Sequence, residues 1–234
     1  IKTNAKKMNL KTKVITFNPY PFEFFELKKN RILSEVDKNL ILANFKIDEI
    51  NTVEFNDDFR KTSAEDFFSK YLLEGNVKYL IVGKDFKFGK ERSGDFDFLS
   101  NWGSNNQIKV DRIPTHSFEG RRVSSTWIRE SIADGNFKLA EKLLDRRYTF
   151  SGKVVFGNRV GRTIGIPTAN IWVPKSNLPI KGVYAVKALV KGETFNGIAN
   201  MGVRPTVGGT SPVLEIHIFD FNEEIYGHRI EVEF

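Results

Sequence analysis

Apolar positions follow two different rhythms along the chain. In the first half, short β-rich runs alternate with stretches of helical spacing. "KVITF" (13–17) is a compact strand candidate ended by the turn-forming cluster "NPYP". "AEDFFSKYLLEG" (64–75) carries apolar residues at 67, 68, 71 and 72, one face of a helix, and Gly75 closes it. "VKYLIVG" (77–83) and "IKVDRI" (108–113) read as further strands. Strands separated by helices predict a parallel, doubly wound α/β sheet, which takes its ligands beyond the carboxyl ends of the strands.

"SSTWIRESIADGNFKLAEKLLDRRY" (124–148) predicts two short helices, and after it the rhythm changes. "YTFSGKVVFG", "GVYAVKALV", "ETFNGIANMG", "VLEIHIFDF" and "HRIEVEF" are strand-like and separated by Gly, Pro or Asn turns. Short strands at regular spacing without helices predict a small β-barrel or sandwich. The expected organisation is therefore an α/β domain over residues 1–146 and an all-β domain over 147–234.

Composition narrows the partners more than the fold. Hydrophobic residues at 40% and charged residues at 28% are those of a soluble globular protein. No apolar run approaches a membrane span and no signal-peptide pattern opens the chain, so a cytoplasmic location is expected. Without cysteine, disulfides, thiolate metal sites and Cys nucleophiles are excluded. The three histidines, at 116, 217 and 228, lack the spacing of a helical zinc site. A net charge of +7, from 36 Lys and Arg against 29 Asp and Glu, suits an anionic partner: nucleic acid or a phosphate-rich small molecule. The nucleic-acid reading would use a helix-turn-helix at 126–144 with Gly135 at its turn. Against it, "NFKLAEKLL" offers few base-reading side chains.

Candidate chemistry gathers in four stretches. In "GRTIGIPTANIWVP" (161–174), a rigid polar loop is expected between strands. Gly157, Gly161 and Gly165 let main-chain N–H groups approach phosphate oxygens, and Arg162 adds a fixed charge. Pro167 stiffens the turn, while Thr168 and Asn170 offer the hard oxygens that Mg²⁺ accepts beside phosphates and water. The alternative is a Gly/Pro hairpin whose Thr and Asn satisfy their own backbone. In "VLEIHIFDF" (213–221), Leu214, Ile216 and Ile218 share one face and Glu215 and His217 the other. Glu215 is either a general base or part of a wet strand face.

In "SSTWIRE", Ser125 or Thr126 is expected as the N-cap of a helix, with Arg129 in its first turn. A cation there opposes the helix dipole unless an anion occupies the N-terminus. In "VGKDFKFGKER" (82–92) a phosphate-loop motif fails, because five residues separate Gly83 from Gly89 and Glu91 follows Lys90. Asp85, Phe86 and Phe88 after a strand suggest instead a pocket for a flat aromatic ligand. With 21 Phe in the chain, core packing is the competing reading.

In order, these segments resemble the bacterial bifunctional riboflavin kinase/FMN adenylyltransferases. "GRTIGIPTAN" is similar to that family's GRxxGFPTAN, with Ile166 in place of Phe, and "GVYAV", "GIANMGVRPT", "LEIHIFDF" and "IYGHRIEVEF" follow in place. "TFNPYP", "VGKDFKFGKERSGD" and "SSTWIRE" are similar to TFxPHP, GxDFxFGxxxxGD and SSTxIR, with Tyr20 replacing a His. The resemblance implies a nucleotidyltransferase-like domain followed by a riboflavin-kinase-like barrel. The barrel would phosphorylate riboflavin to FMN from ATP, and the first domain would adenylylate FMN to FAD with release of pyrophosphate. It implies Thr168 and Asn170 as Mg²⁺ and ATP ligands, and Glu215 as base. Asn18, Pro19, Asp85, Phe86, Phe88, Ser125, Thr126 and Arg129 would bind ATP or flavin for adenylylation. A kinase with an inert first domain is the second reading. The family's HxGH motif is expected upstream of Ile1, and a final helix beyond Phe234.

Overall fold

The computed structural model describes residues 1–27, 29–157, 167–173, 178–206 and 209–234. Gly161, Arg162 and Gly165 therefore lie outside the described residues. The chain divides into two compact units that do not simply follow chain order. One comprises Ile1–Lys29 and Ala43–Arg122, the other Asn30–Leu42 and Val123–Phe234.

The first unit is α/β. After α1 (Lys2–Lys7), β1 (Lys13–Asn18) runs parallel to β2 (Glu49–Glu54), with the short α2 (Pro21–Phe24) following β1. Further along the chain, β3 (Tyr79–Val82) runs parallel to β4 (Lys109–Arg112). Helices α4 (Asp57–Arg60), α5 (Ala64–Phe68) and α6 (Phe96–Asn105) lie between these strands in sequence, and a hairpin of β5 (Ser117–Phe118) and β6 (Arg121–Arg122) ends the unit. Ser63 caps α5 by accepting from the Asp66 amide at 2.9 Å. The helix then continues as a π-helical turn, Ser69–Leu73, to the stop expected at Gly75.

That helix faces the core with the predicted stripe. Phe67, Phe68 and Leu72 are buried against Val82, Phe88 and Leu99, and Phe68 meets Trp102 edge to face at 4.6 Å. Burying each such side chain contributes about 1.5–3 kcal/mol. Much of the unusual phenylalanine content is spent on this aromatic interior.

The second unit is built on a closed six-stranded barrel. Its strands are β7 (Thr149–Val155), β8 (Ala169–Trp172), β9 (Gly182–Val190), β10 (Glu193–Thr206), β11 (Gly209–Ile218) and β12 (Arg229–Glu233), in spatial order β10-β11-β8-β7-β12-β9. Alternation sends Phe150, Val154, Ile171, Ala188, Leu214, Ile216, Ile230 and Val232 inward, each almost fully buried. Gly152 allows β7 to come close to β8: a Cβ there would lie 2.2 Å from Ile171 Cγ2. Before the barrel come α7 (Ser125–Ala133) and α8 (Phe137–Leu144), the two predicted helices, joined at Gly135 with φ +70°. Residues 30–42, carrying most of α3 (Glu35–Asn44), belong to this unit as well.

One expectation needs correction here. The "PTANIWVP" end of the supposed loop is not loop throughout: from Ala169 to Trp172 it is β8, a strand flanked on both sides within the barrel. Ile171 drives this, since its inward side chain completes the layer formed by Val154 and Leu214.

Candidate active site

Asn170 stands at a pivotal register position. Its strand neighbours across the sheet are Val155 on β7 and Glu215 on β11. Glu215 in turn faces Asn200 on β10, which faces Val183 on β9. Because Ile171, Leu214 and Ala199 point into the barrel, this row of five lies on its outer face. The predicted base and the predicted metal ligand are thus directly opposite each other on adjacent antiparallel strands.

Asn170 is only 5% exposed, an unusual state for an amide on an outer face. Gly157 accounts for its fit. A Cβ at 157 would sit 2.2 Å from Asn170 Nδ2 and 3.0 Å from Oδ1, so the bare backbone makes the space that the amide fills.

His217, two residues beyond Glu215 and on the same face, reaches the segment before β8. Its Nδ1–H donates to the Pro167 carbonyl at 2.8 Å. An acceptor of this kind sets the tautomer with the proton on Nδ1. The two-residue spacing of Glu215 and His217 therefore serves one strand crossing: the first faces Asn170 while the second holds Pro167 beside Thr168. Sequence reading placed both side chains on one face and missed this bond, and it also missed Asn200. Neither carries a local signal, because both follow from strand register.

Pro167 and Thr168 also line a cavity of ≈ 60 Å³, together with Val154, Ala169, Ile216 and Tyr226. Tyr226 stacks on the exposed Phe156 at 4.1 Å. Asn170 and Glu215 are not among the lining residues.

The adenylylation candidates fall in both units. In the first, Asn18 ends β1, with the Asn18–Pro19 peptide cis, and Asp85 lies just past the carboxyl end of β3. Both are at the ends where α/β sheets take ligands. Asp85 forms an ion pair with Arg122. Phe88 is part of the buried core, and Phe86 packs against that core and stacks on Phe88 at 5.5 Å. For Phe88, then, packing is the observed role.

In the second unit, Ser124 is the N-cap of α7, accepting from the Trp127 amide at 3.2 Å. This corrects the expectation of Ser125 or Thr126, because Ser124 alone keeps the extended backbone (φ −146°, ψ 155°) a cap requires. Ser125 and Thr126 become the first two helical residues and are exposed. Arg129 moves into the second turn, where the helix dipole no longer opposes a cation appreciably. Its Nε donates to the Asn30 carbonyl at 2.6 Å, and partial burial lowers its pKa below the usual guanidinium value.

Comparison with known proteins matches both halves of this arrangement. A model of the FAD synthetase family covers residues 1–127, and one of the riboflavin kinase family covers residues 144–234. The bifunctional riboflavin kinase/FMN adenylyltransferase of Haemophilus influenzae is 41% identical, across 100% of this chain and 77% of its own length. Its counterpart in Escherichia coli K12 is 39% identical, across 99% of this chain and 75% of its own. A crystal structure from Streptococcus pneumoniae, described as a macrolide-efflux protein, superposes with a TM-score of 0.82 at 32% identity, across 99% of this chain and 77% of that one. That description stays with the pneumococcal protein. Among the described residues here, no helix is long and apolar enough to cross a membrane. With both family models in order along one chain, and whole-chain relatives of this identity, the chain belongs to the bifunctional riboflavin kinase/FMN adenylyltransferase family.

Proposed function

We propose that the outer face of the barrel at β8 and β11 is the riboflavin kinase site, with residues 147–234 as its domain, and that FMN adenylylation is the work of residues 1–146. The carrying observation is the register that sets Glu215 opposite Asn170. Family models ending at 127 and resuming at 144 support the division.

In the kinase reaction the ribityl 5′-oxygen of riboflavin bonds to the γ-phosphorus of ATP as the bond to ADP breaks. Glu215 orients the attacking hydroxyl and takes its proton late, since the transition state is loose and asks mainly for alignment. Thr168 and Asn170 hold the metal-nucleotide side, and the neutral oxygens of their hydroxyl and amide fit Mg²⁺, which usually keeps phosphate and water ligands. When bound, Mg²⁺ neutralises charge on the β- and γ-phosphates. His217 acts on Thr168 indirectly, by holding Pro167 in place. Gly157, Gly161, Arg162, Gly165 and Pro167 complete the proposed nucleotide loop.

In the second reaction an oxygen of the FMN phosphate bonds to the α-phosphorus of ATP and pyrophosphate leaves. Ser125, Thr126 and the first turn of α7, which carries no acidic residue, suit the charge that builds on the α-phosphate, and Arg129 adds a fixed cation. Asn18, Pro19, Asp85 and Phe86 are assigned to ATP and flavin on the family pattern. The cytoplasm, where ATP is made, is the compartment this chemistry needs.

Incubating the protein with riboflavin, ATP and Mg²⁺ and separating the flavins by chromatography tests the reading. Both FMN and FAD are expected, and riboflavin remaining unphosphorylated would overturn it. In the same assay Asn170→Ala should shift the Mg²⁺ dependence of FMN formation to higher concentration. Gly157→Ala should do likewise, since its Cβ would intrude on the Asn170 amide. An unaltered Mg²⁺ titration in both variants removes Asn170 from the metal site.

A further inference from the structure

Arg129 is held by a main-chain carbonyl 99 residues away in sequence, and that carbonyl needs support of its own. Asn30 lies in an irregular stretch before α3, without helix or strand bonds to fix it. The support comes from the start of the barrel. Tyr148, buried immediately before β7, donates its hydroxyl to the Ile32 carbonyl at 2.9 Å. Ser34 and Asp37 then form a reciprocal cap at the head of α3: the Asp37 amide donates to Ser34 Oγ at 3.0 Å, and Ser34 Oγ donates to Asp37 Oδ2 at 2.7 Å.

Asp37 does more than cap. It is 4% exposed, and a carboxylate so buried requires donors. Ser151 on β7 supplies two: its amide lies 3.1 Å from Oδ1, and its hydroxyl bonds the same oxygen. Arg229 on β12 donates to Ser151 Oγ at 3.1 Å and to its carbonyl at 3.2 Å, closing the network. Tyr148 and the first barrel strand thus grip the segment at Ile32 and at Asp37, and the segment presents Asn30 to Arg129.

We propose that residues 30–37 form a strut, clamped by Tyr148 and Ser151 on the barrel, that positions the Arg129 guanidinium for adenylyl transfer. A charge fixed beforehand avoids losing arginine's side-chain freedom at the moment of reaction. The strut gives the clamp residues a role in FAD formation that runs through Arg129. Asp37, Tyr148 and Ser151 are positioning residues. The inference rests on the assignment of Arg129 to adenylyl transfer, and its test separates the two.

The experiment measures FMN and FAD formation separately in the full protein carrying Asp37→Asn, the milder Tyr148→Phe, Arg129→Ala, and Arg129→Ala combined with each. A misplaced catalytic group costs up to about 100-fold. Each clamp variant should slow FAD formation about 10- to 100-fold, chiefly in kcat. FMN formation should be unchanged. In the Arg129→Ala background the clamp changes should have no further effect on FAD formation, because the group they position is gone. Clamp variants that slow FAD formation by the same factor in both backgrounds, that slow both reactions together, or that change neither, overturn the strut. Arg129→Ala with undiminished FAD formation overturns instead the assignment of Arg129 itself.

Discussion

Replacing Glu215 with Gln should slow riboflavin phosphorylation by about 10²–10⁴-fold, the range typical of losing a positioned general base. The change is nearly isosteric. Glutamine keeps the length and one acceptor oxygen, so the β11 register against Asn170 should survive. What disappears is the capacity to hold the hydroxyl's proton as the new phosphate ester forms. Nucleotide affinity should change little, because the proposed metal-nucleotide contacts belong to Thr168 and Asn170. FAD formation from supplied FMN should also persist. Steady-state FMN production paired with an ADP titration checks both halves of the statement. A turnover rate equal to that of the unaltered protein takes Glu215 out of the chemistry.

Arg129→Ala carries the second large effect. Adenylyl transfer builds charge on the α-phosphate, and removing one preorganised donor at such a centre typically costs about 10²–10³-fold. FAD formation from FMN should fall by that factor while riboflavin phosphorylation continues. The selectivity is the informative part. Arg129 lies on α7 and Glu215 on β11, in one compact unit, so a general loss of packing would depress both reactions. Equal losses in FMN and FAD production would contradict separate sites.

How much of this was legible beforehand varies with how local the signal is. Strands β7, β9, β10, β11 and β12 are visible as alternation because one face of each lines a filled barrel. β8 was hidden by Pro167 and the polar Thr168 and Asn170, and only its partners reveal it as a strand. β2 escaped notice for a different reason: in "EINTVE" only Val53 is buried, so the run looks like surface. At α7 the sequence points to Ser125 or Thr126 as the cap, and backbone geometry, which no composition rule supplies, selects Ser124.

The candidate site divides the same way. Glu215 and Asn170 are legible through motif resemblance, and their opposition is a matter of register. The His217 bond to Pro167, the space Gly157 leaves for Asn170, and the grip of Ser151 on Asp37 connect residues 13 to 114 positions apart, beyond any periodicity. Phe88, open between pocket and core in the sequence, packs against Phe67 and Phe98.

The account turns on nucleotide-bound metal lying against the outer face of β8. Adding Mn²⁺ and ADP to the isotope-labelled protein and following the side-chain amide of Asn170 by NMR addresses that directly, because a paramagnetic ion broadens only nearby resonances. The account predicts that the Asn170 amide signal disappears at substoichiometric Mn²⁺ and returns when Mg²⁺ displaces it. An Asn170 signal that stays sharp with the nucleotide saturated would contradict it.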